Sequence, residues 1–351
     1  MVLAYVANFG VGDNTVSVID AKTHSVTSTV DVGLQPNFVA FTPDGKHAYV
    51  TNVVSETISV IDVKRHNVIA TVQVGSSPMN LAFTPDGKLA YVINRLGGGS
   101  VSVIDVKTHS VIATIQVNEP FFVAITPDGK LAYVRNGLDD IVFVIDVKTH
   151  SQIATVQVDD ANIAIAQNFK FTPDGKLAYV INSTSDRPST VSVIDVKTHS
   201  VIATIPVGIQ AHRTAFTPDG KVAYVTNIMS STVSVIDVKT HIVIATINVG
   251  GNPSDVAITS DGKLAYVSVT SNSTITIFVI DTKTHAIISN INTGVSGGNF
   301  IFLAFSPDEK LAYFTNNTTP GTVTAVDVKT HSIIASIPVG SRPINLAFTP
   351  N

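Results

Sequence analysis

The apolar positions of this chain fall in short runs of β-branched and aromatic residues, and the polar positions fall between them as joints of Gly, Pro, Asn, Asp, Thr and Lys. Nowhere do apolar residues recur at the three- and four-residue spacing of an amphipathic helix. Four segments return in a fixed cyclic order: NLAFTP, KLAYVIN, TVSVIDV and SVIATIQV. Each predicts a strand, because Val, Ile, Thr, Tyr and Phe favour the pleated surface of a sheet. They are called here the first to fourth strands of a repeat. The third and fourth are apolar at almost every position, which predicts that both faces of each sheet are covered.

The Tyr of LAYV recurs at Tyr5, Tyr49, Tyr91, Tyr133, Tyr179, Tyr224, Tyr266 and Tyr313, using all 8 tyrosines and counting eight repeats. The Asp of PDG steps through Asp44, Asp86, Asp128, Asp174, Asp219, Asp261 and Asp308, at intervals of 42, 42, 46, 45, 42 and 47 residues. That period belongs to four-stranded propeller blades. In TPDGK, Pro sets φ, Asp caps the turn and Gly accepts positive φ, so first and second strands are joined by a tight hairpin. In VIDVKTH the Asp is placed to accept backbone N–H groups and hold the next turn. The chain starts on a second strand and stops on a first strand, INLAFTPN. Residues near 1–33 and 343–350 must then share a blade, closing the ring and removing its free edges. The expected fold is all-β: residues 1–351 as a single eight-bladed β-propeller domain of four-stranded antiparallel blades.

AYVTN at residues 48–52 and 223–227, joined to VSVIDVKTH and FTPDGK, resembles the YVTN-type β-propeller repeats of bacterial and archaeal surface-layer and cell-surface proteins. The resemblance covers essentially the whole chain. It implies an extracellular or cell-surface setting. One departure is the blade count, since the familiar YVTN-type ring has seven.

Hydrophobic residues make up 44% and charged residues 14% of the chain, a balance that excludes disorder. The net charge of -4 offers no basic field for nucleic acid. Absence of cysteine excludes disulfides, thiolate catalysis and Cys-ligated metals. No apolar run reaches about 18 residues and no basic segment precedes the apolar start, so neither membrane insertion nor a secretion signal is expected. A monomer is the expectation.

Alternating strand direction places the TPDGK and VKTH turns at one end of the ring and all other loops at the opposite end. The first end is a neutral mosaic of repeat Lys and Asp. The remainder carries six positive charges against ten negative, and with them most of the length variation. Arg95, Arg135, Arg187, Arg213 and Arg342 fall in or beside these variable loops. Arginine is favoured at interfaces and in recognition of carboxylates, so this end is the expected binding face.

First strands line the channel, and there one position reads Ala40, Ala82, Ala124, Lys170, Ala215, Ala257, Ala304 and Ala347. Two residues earlier it reads Phe38, Asn80, Phe122, Asn168, Arg213, Asp255, Phe302 and Asn345. Lys170, Arg213 and Asp255 therefore occupy three consecutive blades and could form a charged patch; the alternative pairs Lys170 with Asp159 or Asp160. Eight of the 10 histidines sit in KTH turns, one per blade, and read as turn residues rather than metal ligands. His212, beside Arg213, stands outside that series. No HExxH, GxSxG or phosphate-binding loop is present. The leading expectation is a non-catalytic binding or scaffold propeller without a cofactor, recognising a protein or glycan through the variable end. The alternative is a channel-mouth small-ligand or cofactor site, resembling lactonase-like or tetrapyrrole-binding propellers, built on Lys170, His212 and Arg213.

Overall fold

A computed structural model describes residues 2–137, 139–159, 169–296 and 302–350. Among them the chain forms thirty-two strands, β1 to β32 in chain order, and no helix. The strands pair into eight four-stranded antiparallel sheets, the eight blades that the tyrosine count predicts. By its contacts the chain divides into two compact units: Met1–Asn136 with Ile145–Ile153 and Phe300–Asn351, and Gly137–Val144 with Ala154–Asn299.

The first unit contains the closure. β1 (Leu3–Asn8), β2 (Thr15–Asp20) and β3 (Ser25–Asp31) are completed by β32 (Pro343–Phe348), in the order β3-β2-β1-β32. Ala4 stands opposite Phe348 and Val6 opposite Leu346. Beyond the strand, the Thr349 amide donates to the Leu3 carbonyl at 2.9 Å and the Leu3 amide to Thr349 Oγ1 at 3.1 Å. The two ends thus satisfy each other's backbone groups, which would otherwise be an open sheet edge.

Second and third strands are buried along nearly their whole length, and all eight tyrosines are fully buried. The fourth strand differs from expectation. In the first unit β7 (Asn67–Gln73) and β11 (Ser110–Gln116) alternate in burial and expose Ile69 and Ile112. In the second, β19 (Ser200–Ile209) and β23 (Ile242–Asn248) do the same with Ile202 and Ile244. This strand ends its sheet, with a neighbour on one side only, so half of its apolar residues gain no cover. Composition cannot distinguish it from the covered third strand.

The turns follow the sequence. Gly45 takes φ +67 and donates to the Thr42 carbonyl, while the Thr42 hydroxyl donates to Asp44 at 2.7 Å. Lys46 pairs with the same carboxylate at 3.0 Å. In the VKTH turns the Asp accepts the Thr amide, as Asp105 does from Thr108 at 2.7 Å. The turn's His takes positive φ and hydrogen-bonds through Nδ1 to the tyrosine of the preceding blade. Tyr49 meets His109 at 2.7 Å and Tyr91 meets His150 at 2.9 Å in the first unit; Tyr179 meets His241 at 3.1 Å and Tyr224 meets His285 at 2.9 Å in the second.

Candidate functional site

In the second unit β16 (Phe169–Phe171), β20 (Ala211–Phe216) and β24 (Asn252–Ile258) are the first strands of three successive blades and pack side by side. Each pairs with its second strand in one shared register: Lys170 opposite Tyr179, Ala215 opposite Tyr224, Ala257 opposite Tyr266. Lys170 therefore replaces the alanine of the other repeats without moving the strand. Arg213 and Asp255 lie two residues before those alanines, and the period of two puts them on the same face.

A bulge interrupts the pairing just ahead of this face, between Ala211 and Thr214 in β20 and between Pro253 and Asp255 in β24. A bulge leaves an amide without its ladder partner. Hydroxyl groups of the second strands take these amides: Arg213 N–H donates to Thr226 Oγ1 and Asp255 N–H to Ser268 Oγ, both at 3.0 Å. The first unit repeats the device, with Phe38 donating to Thr51 and Phe302 to Thr315, again at 3.0 Å. Where the second strand offers Ile93 or Ala7 instead, the first strand carries Asn80 or Asn345. Their side-chain carbonyls accept the amides of Val123 and Val39 in the following blade. These supporting hydroxyls were not among the residues the sequence singled out. Their signal is the residue after the LAYV segment, which is Thr or Ser in four repeats, Ala or Ile in three and Arg135 in one.

The electrostatics centre on Lys170. Solvent reaches its side chain, yet protein surrounds it closely enough that the charged amine is disfavoured. That burial, helped by the positive charge of Arg213 and opposed by Asp255, holds the amine below the usual lysine range. The charges acting on Lys170 are thus those of the two neighbouring first strands. Asp159, the alternative partner, instead accepts the Thr190 hydroxyl at 2.7 Å; Asp160 and Asn168 lie outside the described residues.

Arg213 is half-buried, and its Nε is sealed from solvent without any hydrogen-bond partner among the described residues. A buried guanidinium N–H left unpaired is costly, so this nitrogen is a donor awaiting an acceptor. His212 is buried, and its Nδ1 lies 2.7 Å from the Ser254 carbonyl, which can only accept. Nδ1 therefore carries the proton. Burial, reinforced by Arg213, lowers this imidazole to a pKa of about 4, so it is neutral at physiological pH. Asp255 is buried, and one of its oxygens accepts the Val256 amide at 2.9 Å.

Each remaining candidate has its own local setting. Arg187 is exposed in the loop before β18 (Pro188–Asp195). In the first unit the Arg95 guanidinium covers the Phe121 ring at 4.7 Å, and that of Arg342 lies 5.8 Å from the Phe9 ring. Arg135 is buried within β13 (Leu131–Asn136). Positions equivalent to the charged cluster are uncharged there: Phe38, Ala40, Phe302, Asn345 and Ala347 line a cavity of about 350 Å³. Among the described residues no group of three or more His, Asp or Glu side chains is placed to hold a metal.

A family model described as a lactonase, 7-bladed beta-propeller, matches residues 5–205 and 199–294. The chain belongs to this lactonase family. Membership overturns the expectation of a propeller without catalysis, because the family is described by an enzymatic activity. The chain exceeds the family's description by one blade, and the surface-layer kinship expected from AYVTN is not what the match shows. No curated protein sequence matches this lactonase-family chain.

Solved structures share its fold. The dihydro-heme d1 dehydrogenase NirN, solved with the ligand DHE, superposes with a TM-score of 0.82 at 20% identity, over 98% of this chain and 74% of NirN. Hydrazine synthase of Kuenenia stuttgartiensis gives 0.65 at 23% identity, over 84% and 95%. A functionally unknown protein of Desulfotomaculum acetoxidans gives 0.65 at 16% identity, over 99% of both chains. At these identities the likeness is one of architecture alone.

Proposed function

We propose that this lactonase-family propeller hydrolyses a cyclic ester at the cluster formed by Lys170, His212, Arg213 and Asp255. The family supplies the reaction class, and the observation that carries the site is the buried Arg213 Nε with no partner among the described residues. A shift of the half-buried side chain would bring this donor to an ester carbonyl oxygen, the acceptor it lacks. Negative charge develops on that oxygen as water adds, so a donor held against it stabilises the transition state more than the substrate.

Lys170 provides the base. An amine held below the usual lysine range gives up its proton more readily than a free lysine, and in its neutral form it takes a proton from water as the water oxygen bonds to the carbonyl carbon. The oxyanion forms against Arg213. Collapse restores the carbonyl and breaks the ring C–O bond, and the departing alkoxide takes the proton back from the Lys170 ammonium. The product is a hydroxy acid. His212 is a positioning residue that ties β20 to β24 through the Ser254 carbonyl, and Asp255 balances the two cations.

The test uses the other repeats as controls. Lys170→Ala and Arg213→Asn each install a residue that the same position carries elsewhere in the chain, so the fold is retained. Five- and six-membered lactones are supplied to the full chain and hydrolysis is followed by acid release. Loss of a base of this kind costs about 10²–10⁴ in rate, and loss of an oxyanion donor about 10²–10³. Equal hydrolysis by the wild type and the double variant would overturn the assignment.

A further inference from the structure

Another departure from the repeat lies in the first unit. At the residue that opens the second strand the chain carries Leu3, Leu89, Leu131, Leu177, Val222, Leu264 and Leu311, whereas β5 (His47–Asn52) opens on His47. Alternation along the strand puts His47 on the same face as Tyr49. That face is where His109 arrives from the next blade, its Nδ1 2.7 Å from the Tyr49 phenol oxygen.

The rings of His47 and His109 stand 5.3 Å apart between centroids and cross at 81°. Two imidazoles bound to one tetrahedral ion through nitrogens at about 2.1 Å have centroids about 5 Å apart. The pair thus already has the separation that a shared ion requires. Nδ1 of His109 is taken by Tyr49, which leaves Nε2 for coordination, and the His47 ring makes no hydrogen bond among the described residues. Both rings are half-buried, so water can complete a coordination shell. Asp105, in the same turn as His109, adds a favourable negative charge.

We propose that His47 and His109 form a two-imidazole site for a divalent ion of the zinc, nickel and copper class. Tyr49 acts as the positioning residue, since metal-bound histidines are commonly held through their second nitrogen. Neither histidine belongs to the hydrolytic cluster, so the site stands independently of that assignment.

Cu(II), the tightest binder of such ligands, is titrated alone into the full chain. One equivalent should bind more tightly than the rest, with two nitrogen ligands in its electron paramagnetic resonance spectrum. His47→Leu, which installs the residue of the other repeats, should weaken that equivalent at least tenfold while melting no lower than wild type. Tyr49→Phe should weaken it about tenfold with both nitrogens retained. Unchanged affinity in His47→Leu, or a spectrum with a single nitrogen ligand, would overturn the site and leave the pair as ring packing.

Discussion

The phenol oxygen of Tyr5 lies 2.8 Å from Nδ1 of His66, across the boundary between two blades and 61 residues along the chain. Burial raises the Tyr5 phenol well above its usual range, so it stays protonated. His66 reaches it from a backbone φ of +53, a conformation in which His, Asn and Asp are enriched and β-branched residues are outliers. Tyr5→Phe should cost about 1 kcal/mol, the worth of a typical hydrogen bond. His66→Asn should cost a similar amount, and His66→Val more, since a β-branched residue adds strain in the left-handed region. Thermal melts of the three variants check the ranking; equal losses for Asn and Val would remove the strain argument.

His212 gives the fold an acid-sensitive window. Its ordinary value of about 6.5 falls to about 4 in the folded chain. Below pH 6.5 the unfolded chain binds a proton that the folded chain refuses, so stability declines as pH falls toward 4 and this contribution then levels off. The loss approaches about 3 kcal/mol. Asp44 and Asp261, lowered to about 2, lose their contribution only at more acid pH. Denaturant melts of wild type and His212→Met, a residue found at the equivalent Met79, should diverge between pH 6.5 and 4. Parallel curves would show that His212 does not set this slope.

Lys170 should behave oppositely in stability and in turnover. Because its amine is held below the usual range, the unfolded chain binds the proton more readily at neutral pH, and stability rises as pH increases toward the ordinary lysine value. Lys170→Ala should therefore melt higher than wild type at pH 7 while losing lactone hydrolysis. The wild-type rate should climb with pH to a plateau below the ordinary lysine value. A lower melting point for Lys170→Ala would mean that the cation stabilises the fold.

The pairing of β32 with β1 makes the final strand indispensable. Truncation after Ser341 removes Leu346 and Phe348, each worth roughly 1.5–3 kcal/mol when buried, and exposes the ladder amides of β1. Typical domains have about 5–15 kcal/mol in total. The truncated chain should aggregate or melt far lower, as read by light scattering and circular dichroism. An unchanged melt would contradict the closure.

Blade number, turn chemistry and closure were legible in the sequence because repetition displays each rule eight times. The cluster of Lys170, Arg213 and Asp255 was legible for the converse reason: a lysine among seven alanines is conspicuous only against a repeat. The tyrosine and histidine contacts were hidden because the partners belong to different strand segments, about sixty residues apart, and each looks complete within its own turn or strand. The exposed Ile69 and Ile244 were hidden because an isoleucine reads alike whether or not a neighbouring blade covers it. The proposed hydrolytic site left no motif, since its groups come from three separate strands.

The hydroxyls of Thr51, Thr226, Ser268 and Thr315 hold these amides whatever side chain the same residue carries, and the side chains found there are Phe38, Arg213, Asp255 and Phe302. Backbone and chemistry are thereby uncoupled at these four places. Each is an interchangeable socket in which one codon can exchange an aromatic ring for a cation or a carboxylate while the strand keeps its register. Divergence can then rewrite what the propeller acts upon one blade at a time, with the architecture as a constant.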